Sequence, residues 1–493
     1  MPHGKALAMN TFVKKIGVLV FLLIAIGFAP FSRSNAQTFK TLYTFTNPTN
    51  SNPLDLNLSG NTLYGATSCY LFKLNIGASV TSVLGPYCHL GIHGLTVSGS
   101  TIFCTSIDYN DGSPGGSLFA VNTDGTGLRT LHNFNSDTEG GEALSLLMQA
   151  DTLYGLLSYY GAGGAGGIFS FNTNTSEFRL LHSFSQETLD TDLDSPAYGL
   201  LTNNDGVAPL GFILMSDTLY GAAAHGGLLG VGNLFSINLA TGVFSNFYNF
   251  TAEGEAAHPR QLVAINGFLY GVTRNSSSNG DGIVFRVGTN GTGFTVLHSF
   301  LAPFNTDPNS PSFNLATNQE GAELSYLIPS GNTLLGLASM GGPSGNGTIF
   351  AINTDGTGFT NLYFFTPTTL DTDRASIGFG SNTNIDGAWP SDLLLSGNTL
   401  YGTAWSGGAA GLGTVFSISL PVPKLTIRLA DTNAILSWPM TQFGAFTLQS
   451  TTNIFSQGWW SPVSILPILF AGQNVVTNAI SQGQEFYRLS GHF

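Results

Sequence analysis

An all-β chain is expected here: a seven-bladed β-propeller closed by an N-terminal strand, with a small immunoglobulin- or fibronectin-III-like β-sandwich behind it. Three features of the 493 residues lead to it. A short phrase, LYG or a relative, recurs seven times. Runs that alternate at the period of a strand flank each copy and are joined by hairpin-type turns, with no helical periodicity between them. A spare copy of the last strand of the repeat stands ahead of the first copy, at the wrong end of the array.

Residues 1–36 read as an export signal rather than as fold. Lys5, Lys14 and Lys15 precede an apolar run from Ile16 to Ala29, and Ser34-Asn35-Ala36 offers small residues to a signal peptidase. Cleavage is expected before Gln37. The apolar run falls short of the ~20 residues of a spanning helix, which argues against a retained anchor. The expected location is therefore secreted or cell-surface, with no membrane span after cleavage. Without that segment 11 basic residues face 28 acidic ones, a net charge of −17. Nucleic acid and anionic lipid are poor partners for such a chain. Nothing in the sequence calls for more than a monomer.

The propeller is expected over residues 37–420. The phrase begins at Leu63, Ile102, Leu153, Leu219, Leu269, Leu334 and Leu400, at intervals of 39 to 66 residues, the range in which propellers and solenoids repeat. Each copy predicts four strands. An apolar first strand such as Leu393-Leu394-Leu395 turns at Ser396-Gly397-Asn398 into the LYG strand. A Gly-rich loop leads to a third strand, written LFKLN from Leu71, IFSFN from Ile168 or VFSIS from Val415. Turns such as NTDGTG at Asn122 and Asn353 give the fourth, as in Phe294 to Phe300. The last copy runs from Ser419 into Pro421 with no fourth strand, whereas FKTLYTF, Phe39 to Phe45, is a fourth strand without a blade. A ring needs its ends joined, and a solenoid does not, so this permutation favours a closed propeller. Residues 421–493 lose the period but keep alternating runs, LTIRLADTNAILSWP from Leu425, FTLQST from Phe446 and FYRL from Phe486, as a sandwich would.

The phrase LYGT followed by GG, G-x-GT and VF, complete from Leu400 to Phe416, resembles the GloVer tandem repeats of secreted "choice-of-anchor" bacterial proteins. The resemblance spans residues 39–419. LSWP at Leu436, FTLQST and FYRL are similar to C-terminal β-sandwich modules of Verrucomicrobia-like bacteria. The resemblance implies an exported repeat protein and carries no activity with it. The second copy departs, with IFC in place of LYG and no recognisable fourth-strand Phe after Val83-Leu84.

The Gly-rich loops lack the Lys-Ser/Thr of a phosphate loop and read as hairpin turns. His132, His182 and His298 share one slot of the fourth strand, where other copies carry Tyr43, Tyr248 and Tyr363, so they cannot converge on one metal and read as packing. An acid-Gly pair precedes five first strands, at Glu139, Asp205, Glu253, Glu320 and Asp386. Asp205, Glu320 and Asp386 are candidate ligands for Ca²⁺, the one cofactor the chain invites, against the alternative that each acid caps its own turn. Two long junctions, from Thr188 and Thr369, echo one another, and a third from Phe304 is looser. Loops this long are uncommon unless functional. Their Asp190, Asp192, Asp194, Asp371, Asp373 and Arg374 are candidate ligand-binding residues, together with Asp386 and with Trp389 and Trp405, whose rings could stack on sugars. One disulfide is expected among Cys69, Cys88 and Cys104. The function these features suggest is a non-enzymatic exported propeller recognising an extracellular glycan or surface protein. The alternative is a polysaccharide-acting hydrolase or lyase using the loop carboxylates.

Overall fold

A computed structural model of the protein describes residues 37–67, 69–77, 81–86, 91–107, 115–251, 256–276, 280–302, 317–439, 445–452, 460–479 and 484–492. The expected signal segment, Cys88, Glu253 and most of the third long junction lie outside them. Among the described residues there is no helix, and so none long and apolar enough to cross a membrane. Two compact units emerge. One holds Gln37–Leu420 with Gln442–Val463 and Glu485–Phe493, and the other holds Pro421–Thr441 with Ser464–Gln484.

Between Thr38 and Ser419 the larger unit is a β-propeller of four-stranded antiparallel sheets, seven among the described residues. In six of them the strand order follows the chain. The last combines Ala388–Ser396, Thr399–Ser406 and Thr414–Ser419 with Thr38–Thr44. Phe39 pairs with Ile418 and Thr44 with Thr414, so the displaced N-terminal strand sits where the other sheets carry their own fourth strand.

The repeated glycine has a packing reason. In six sheets the third-strand Phe lays its ring across the Gly of LYG: a Cβ on Gly155 would stand 2.2 Å from Phe169 Cζ, and one on Gly336 would stand 2.1 Å from Phe350 Cζ. In those six sheets a Cβ would overlap the ring. The second sheet holds Cys104 there, opposite Phe119, which is why its phrase reads IFC. Gly336→Ala is expected to cost about 1–3 kcal/mol through overpacking of a fully buried ring, read as a lowered melting temperature. An unchanged melting curve would remove this account of the motif.

The fourth-strand slot binds neighbouring sheets together. The His or Tyr of one sheet stacks on a Phe of the next: His132 on Phe178 at 3.9 Å, His182 on Phe244 at 3.7 Å, Tyr248 on Phe294 at 4.7 Å, His298 on Phe359 at 3.9 Å and Tyr363 on Phe39 at 4.1 Å. A buried Phe two residues on packs edge-on in each case, and Phe45 makes that contact with Phe72 of the first sheet at 5.3 Å. The strand of Val83-Leu84, assigned from sequence to the second copy, belongs instead to the first sheet, with Gly85 in the slot opposite Leu71.

The tail makes two sheets. Thr426–Ala430, Asn433–Pro439, Gln473–Ala479 and Ile468–Phe470 form a four-stranded one, in which Trp438 is buried. Ser461–Pro462, Ala445–Thr451 and Phe486–His492 form a three-stranded one, with the Arg488 guanidinium 4.4 Å from the centre of the Trp460 ring.

Candidate functional site

Each first strand begins with the same two devices. The residue eleven places ahead of the LYG position (Asn52, Gly91, Glu142, Ala208, His258, Glu323, Trp389) has left-handed φ between 51° and 62°. The amides of Asn52, His258 and Trp389 donate to the preceding sheet's Gly-rich loop, at Leu412, Val231 and Asn346. A β-bulge follows, between Pro53 and Asp55 in the first sheet and between Pro390 and Asp392 in the last, with a counterpart in every sheet between. Bulges re-aim side chains. Here they turn one residue per sheet, eight places ahead of LYG, toward the central channel: Asp55, Gly94, Ser145, Gly211, Gln261, Tyr326 and Asp392.

That ring of positions is not symmetric. Gly94, Ser145 and Gly211 leave room on one side of a cavity of about 400 Å³, and Gln261, Tyr326, Asp392 and Asp55 crowd the other with polar groups, beside Arg260 and Ser325. Several of these groups also clasp the next sheet. Leu56 N donates to Asp392 Oδ2 at 2.6 Å, Leu327 N to Gln261 Oε1 at 2.6 Å, and Ser145 Oγ to the Leu210 carbonyl at 3.0 Å. Three atoms are left over: Asp55 Oδ2, Ser325 Oγ and Arg260 Nε are shut off from solvent without a hydrogen-bond partner. Burial pushes the Asp55 carboxyl up to about 7 against the lowering effect of the Gly94 amide. Burial first and the Asp55 charge second push Asp392 up to about 8. Asp392 is 4% exposed, whereas the area that Asp55 keeps exposed faces the channel. The Asp392 charge, then burial, holds the Tyr326 hydroxyl well above its usual range, and burial lowers Arg260.

At the same end of the first strands, paired side chains bridge to the ends of the second strands. Trp389 stacks on Trp405, ring centres 5.7 Å apart at 29°, and both are more than a third exposed. His225 meets His258 edge-on at 4.5 Å, and Arg274 pairs with Glu323. Of the residues expected to bind a ligand, Trp389 and Trp405 are the two that the fold brings together.

The acid-Gly carboxylates have another occupation. Glu139 Oε2 meets His132 Nε2 at 2.9 Å, Asp205 Oδ2 meets His182 Nε2 at 3.1 Å, Glu320 Oε2 meets His298 Nε2 at 3.3 Å, and Tyr363 Oη donates to Asp386 Oδ2 at 2.7 Å. Asp386 also accepts from the Thr366 amide and hydroxyl, and Asp205 from those of Ser185. Burial alone would raise Asp205, but the bonds from His182 and Ser185 hold it below the usual carboxylate range. Asp205, Glu320 and Asp386 thus lie on separate junctions, each with its own ring partner. Among the described residues no group of three or more His, Cys, Asp or Glu could hold a metal ion.

The two echoing junctions are ribbons rather than structureless loops: Thr188–Leu189 pairs with Leu201–Thr202, and Thr369–Leu370 with Asn382–Thr383. Their acids turn on their own backbone. Asp190 accepts from the Asp192 amide at 2.9 Å and the Ser195 hydroxyl at 2.6 Å, Asp192 from the Asp194 amide, Asp371 from the Asp373 amide and Asp373 from the Ala375 amide. The Ser195 hydroxyl, then the Asp192 amide, lowers the Asp190 carboxyl below its ordinary value. Asp194 and Arg374 are exposed. Cys104 is a free, fully buried thiol; of the other two cysteines, Cys69 is half-buried and Cys88 lies outside the described residues.

No family model matches the chain, and no curated protein matches it. Solved structures similar to it include an oligogalacturonate lyase in complex with manganese, 12% identical over 79% of this chain and 98% of that one, with a TM-score of 0.48. An oligogalacturonate lyase from Vibrio parahaemolyticus is 10% identical over 78% and 97%, with a TM-score of 0.46.

Proposed function

We propose that this chain is an exported, non-enzymatic propeller of seven blades, closed by the Thr38–Thr44 strand, that binds an extracellular glycan at the mouth of its channel. The observation that carries the reading is the Trp389–Trp405 stack. Two half-exposed indoles, held side by side at the channel mouth, form an apolar platform of the kind that sugar faces pack against. The scaffold imposes left-handed backbone at this position in every sheet, and a bulky Trp is a costly choice for it. The acids of the long ribbons support binding over catalysis, because Asp192 and Asp373 spend a carboxylate oxygen on their own loop amides. Export rests on the signal-like residues 1–36.

A glycan array followed by titration calorimetry tests this. Trp389→Ala and Trp405→Ala are each expected to weaken glycan binding at least tenfold while leaving the melting temperature within a few degrees, since both rings are partly solvated. Turnover of a polysaccharide that Asp192→Asn and Asp373→Asn abolish would replace this reading with the hydrolase or lyase alternative.

A further inference from the structure

His258 sits near the start of its first strand, Ala256–Ile265, at the position that Trp389 holds in the last sheet. The ring it meets is another imidazole, His225, which ends the second strand of the sheet before, Thr218–His225. We propose that this pair holds a divalent transition-metal ion of the copper, nickel and zinc class. The proposal stands apart from the glycan reading and takes nothing from it.

A hydrogen bond at one nitrogen of His258 prepares the other. Nδ1 lies 2.9 Å from the Ala224 carbonyl oxygen. A carbonyl only accepts, so Nδ1 donates, and in the neutral ring Nε2 is left with its lone pair. A backbone carbonyl on one imidazole nitrogen is a usual partner of a histidine that binds metal through the other, because it fixes both the tautomer and the ring orientation. The backbone under both rings is held as well. The His258 amide donates to the Val231 carbonyl at 3.1 Å, and His225 pairs with Val207 in its sheet ladder.

Spacing and access agree. The two ring centres are 4.5 Å apart and the planes are inclined at 63°. A metal about 2.0–2.1 Å from each nitrogen sits about 3.2 Å from each ring centre, which separates the centres by about 4.5 Å for a right angle at the metal and about 5.2 Å for a tetrahedral one. His132, His182 and His298 each meet a carboxylate, whereas among the described residues neither His225 nor His258 does. His225 is exposed, so an ion can reach the pair. Among the described residues no third His, Cys, Asp or Glu completes a ligand set, so the remaining positions go to water or to donor atoms of a ligand. Imidazoles suit copper, nickel and zinc, whereas calcium prefers oxygen ligands.

Calorimetry on the purified protein, with any affinity tag removed, takes CuCl₂, NiCl₂, ZnCl₂ and CaCl₂ as separate titrants. Cu²⁺ is expected to bind most tightly, Ni²⁺ and Zn²⁺ less so, and Ca²⁺ at least a hundredfold more weakly than Cu²⁺. Electron paramagnetic resonance of the Cu²⁺-loaded protein is expected to show two coordinating imidazole nitrogens. His225→Ser and His258→Asn introduce the residue types that the last and first sheets carry at those positions, Ser406 and Asn52, so the backbone accepts both. Each is expected to weaken Cu²⁺ binding at least tenfold and to remove one nitrogen from the spectrum, with melting curves recorded to establish that the variants fold. If His258→Asn does not fold, His225→Ser, at an exposed position, decides alone. Absence of Cu²⁺ binding to the wild-type protein, a spectrum with fewer than two imidazole nitrogens, or wild-type affinity in either folded variant overturns the site.

Discussion

Removal of residues 37–46 is expected to unfold the propeller rather than to trim it. The deleted stretch holds the Thr38–Thr44 strand, its six-pair ladder with Thr414–Ser419, and two aromatic anchors. Phe39 stacks on Tyr363 and lies 5.4 Å from Phe416, and Phe45 is 1% exposed against Phe72. A buried Phe truncated to Ala costs about 3–5 kcal/mol, so losing both anchors and the ladder approaches the whole stability of an ordinary domain. Phe39→Ala alone is expected to cost about 3 kcal/mol. Thermal and urea unfolding measure both, and a peptide of residues 37–46 added in trans should recover part of the loss. A truncated chain that melts like the intact one would rule out closure of the ring by this strand.

Stability is expected to fall between about pH 4 and pH 8 and then to level off, through Asp55 and Asp392. Their carboxyls sit far above the ordinary 3.8, at about 7 and about 8, so across this window the folded chain binds protons that the unfolded chain has released. Where the folded state holds more protons, raising the pH destabilises it. The contribution is fully present below the unfolded value and gone once the pH passes the folded ones. Its size is on the order of a few kcal/mol, discounted because Asp55 faces the channel. Asp205 has the opposite sign, its lowered carboxyl losing stability only in acid, so the two effects separate in pH. Melting curves from pH 5 to 9 should slope downward in the wild-type protein and be nearly flat in the Asp55→Asn/Asp392→Asn double variant. Parallel slopes in the two proteins would rule out the buried pair as the cause.

The repeated four-stranded sheets and their strand order were legible because the same packing recurs in most copies. In six sheets a Phe ring lies over a Gly, and in five a His or Tyr stacks on a Phe of the next sheet. The pairing of that slot with the acid-Gly carboxylate was also in the sequence, in two separate columns. What hid it is that the partners belong to consecutive copies, so a copy-by-copy alignment never sets His182 beside Asp205. The ring of channel-facing positions was missed for a related reason. Eight places ahead of LYG the seven copies read Asp, Gly, Ser, Gly, Gln, Tyr, Asp, a column whose chemistry changes from copy to copy. Only the bulge tells that this column faces the channel, and a bulge leaves no mark in an alternating pattern. The long junctions misled in part because a run of Asp residues reads alike as a ligand set and as a turn that holds itself.

The displaced strand also bears on the order in which such a chain can complete its fold. Thr38 lies two residues past the expected cleavage point and can take its place only against Thr414–Ser419, the last part of the propeller to be made. The first stretch to emerge is then the last to find its partner, and until it does both it and the Thr414–Ser419 edge are unpaired strands open to other chains. Synthesis from the N-terminus thus leaves the array incomplete until Ser419 is made, and a chain cut short before it should be an easy substrate for proteases that a finished one resists.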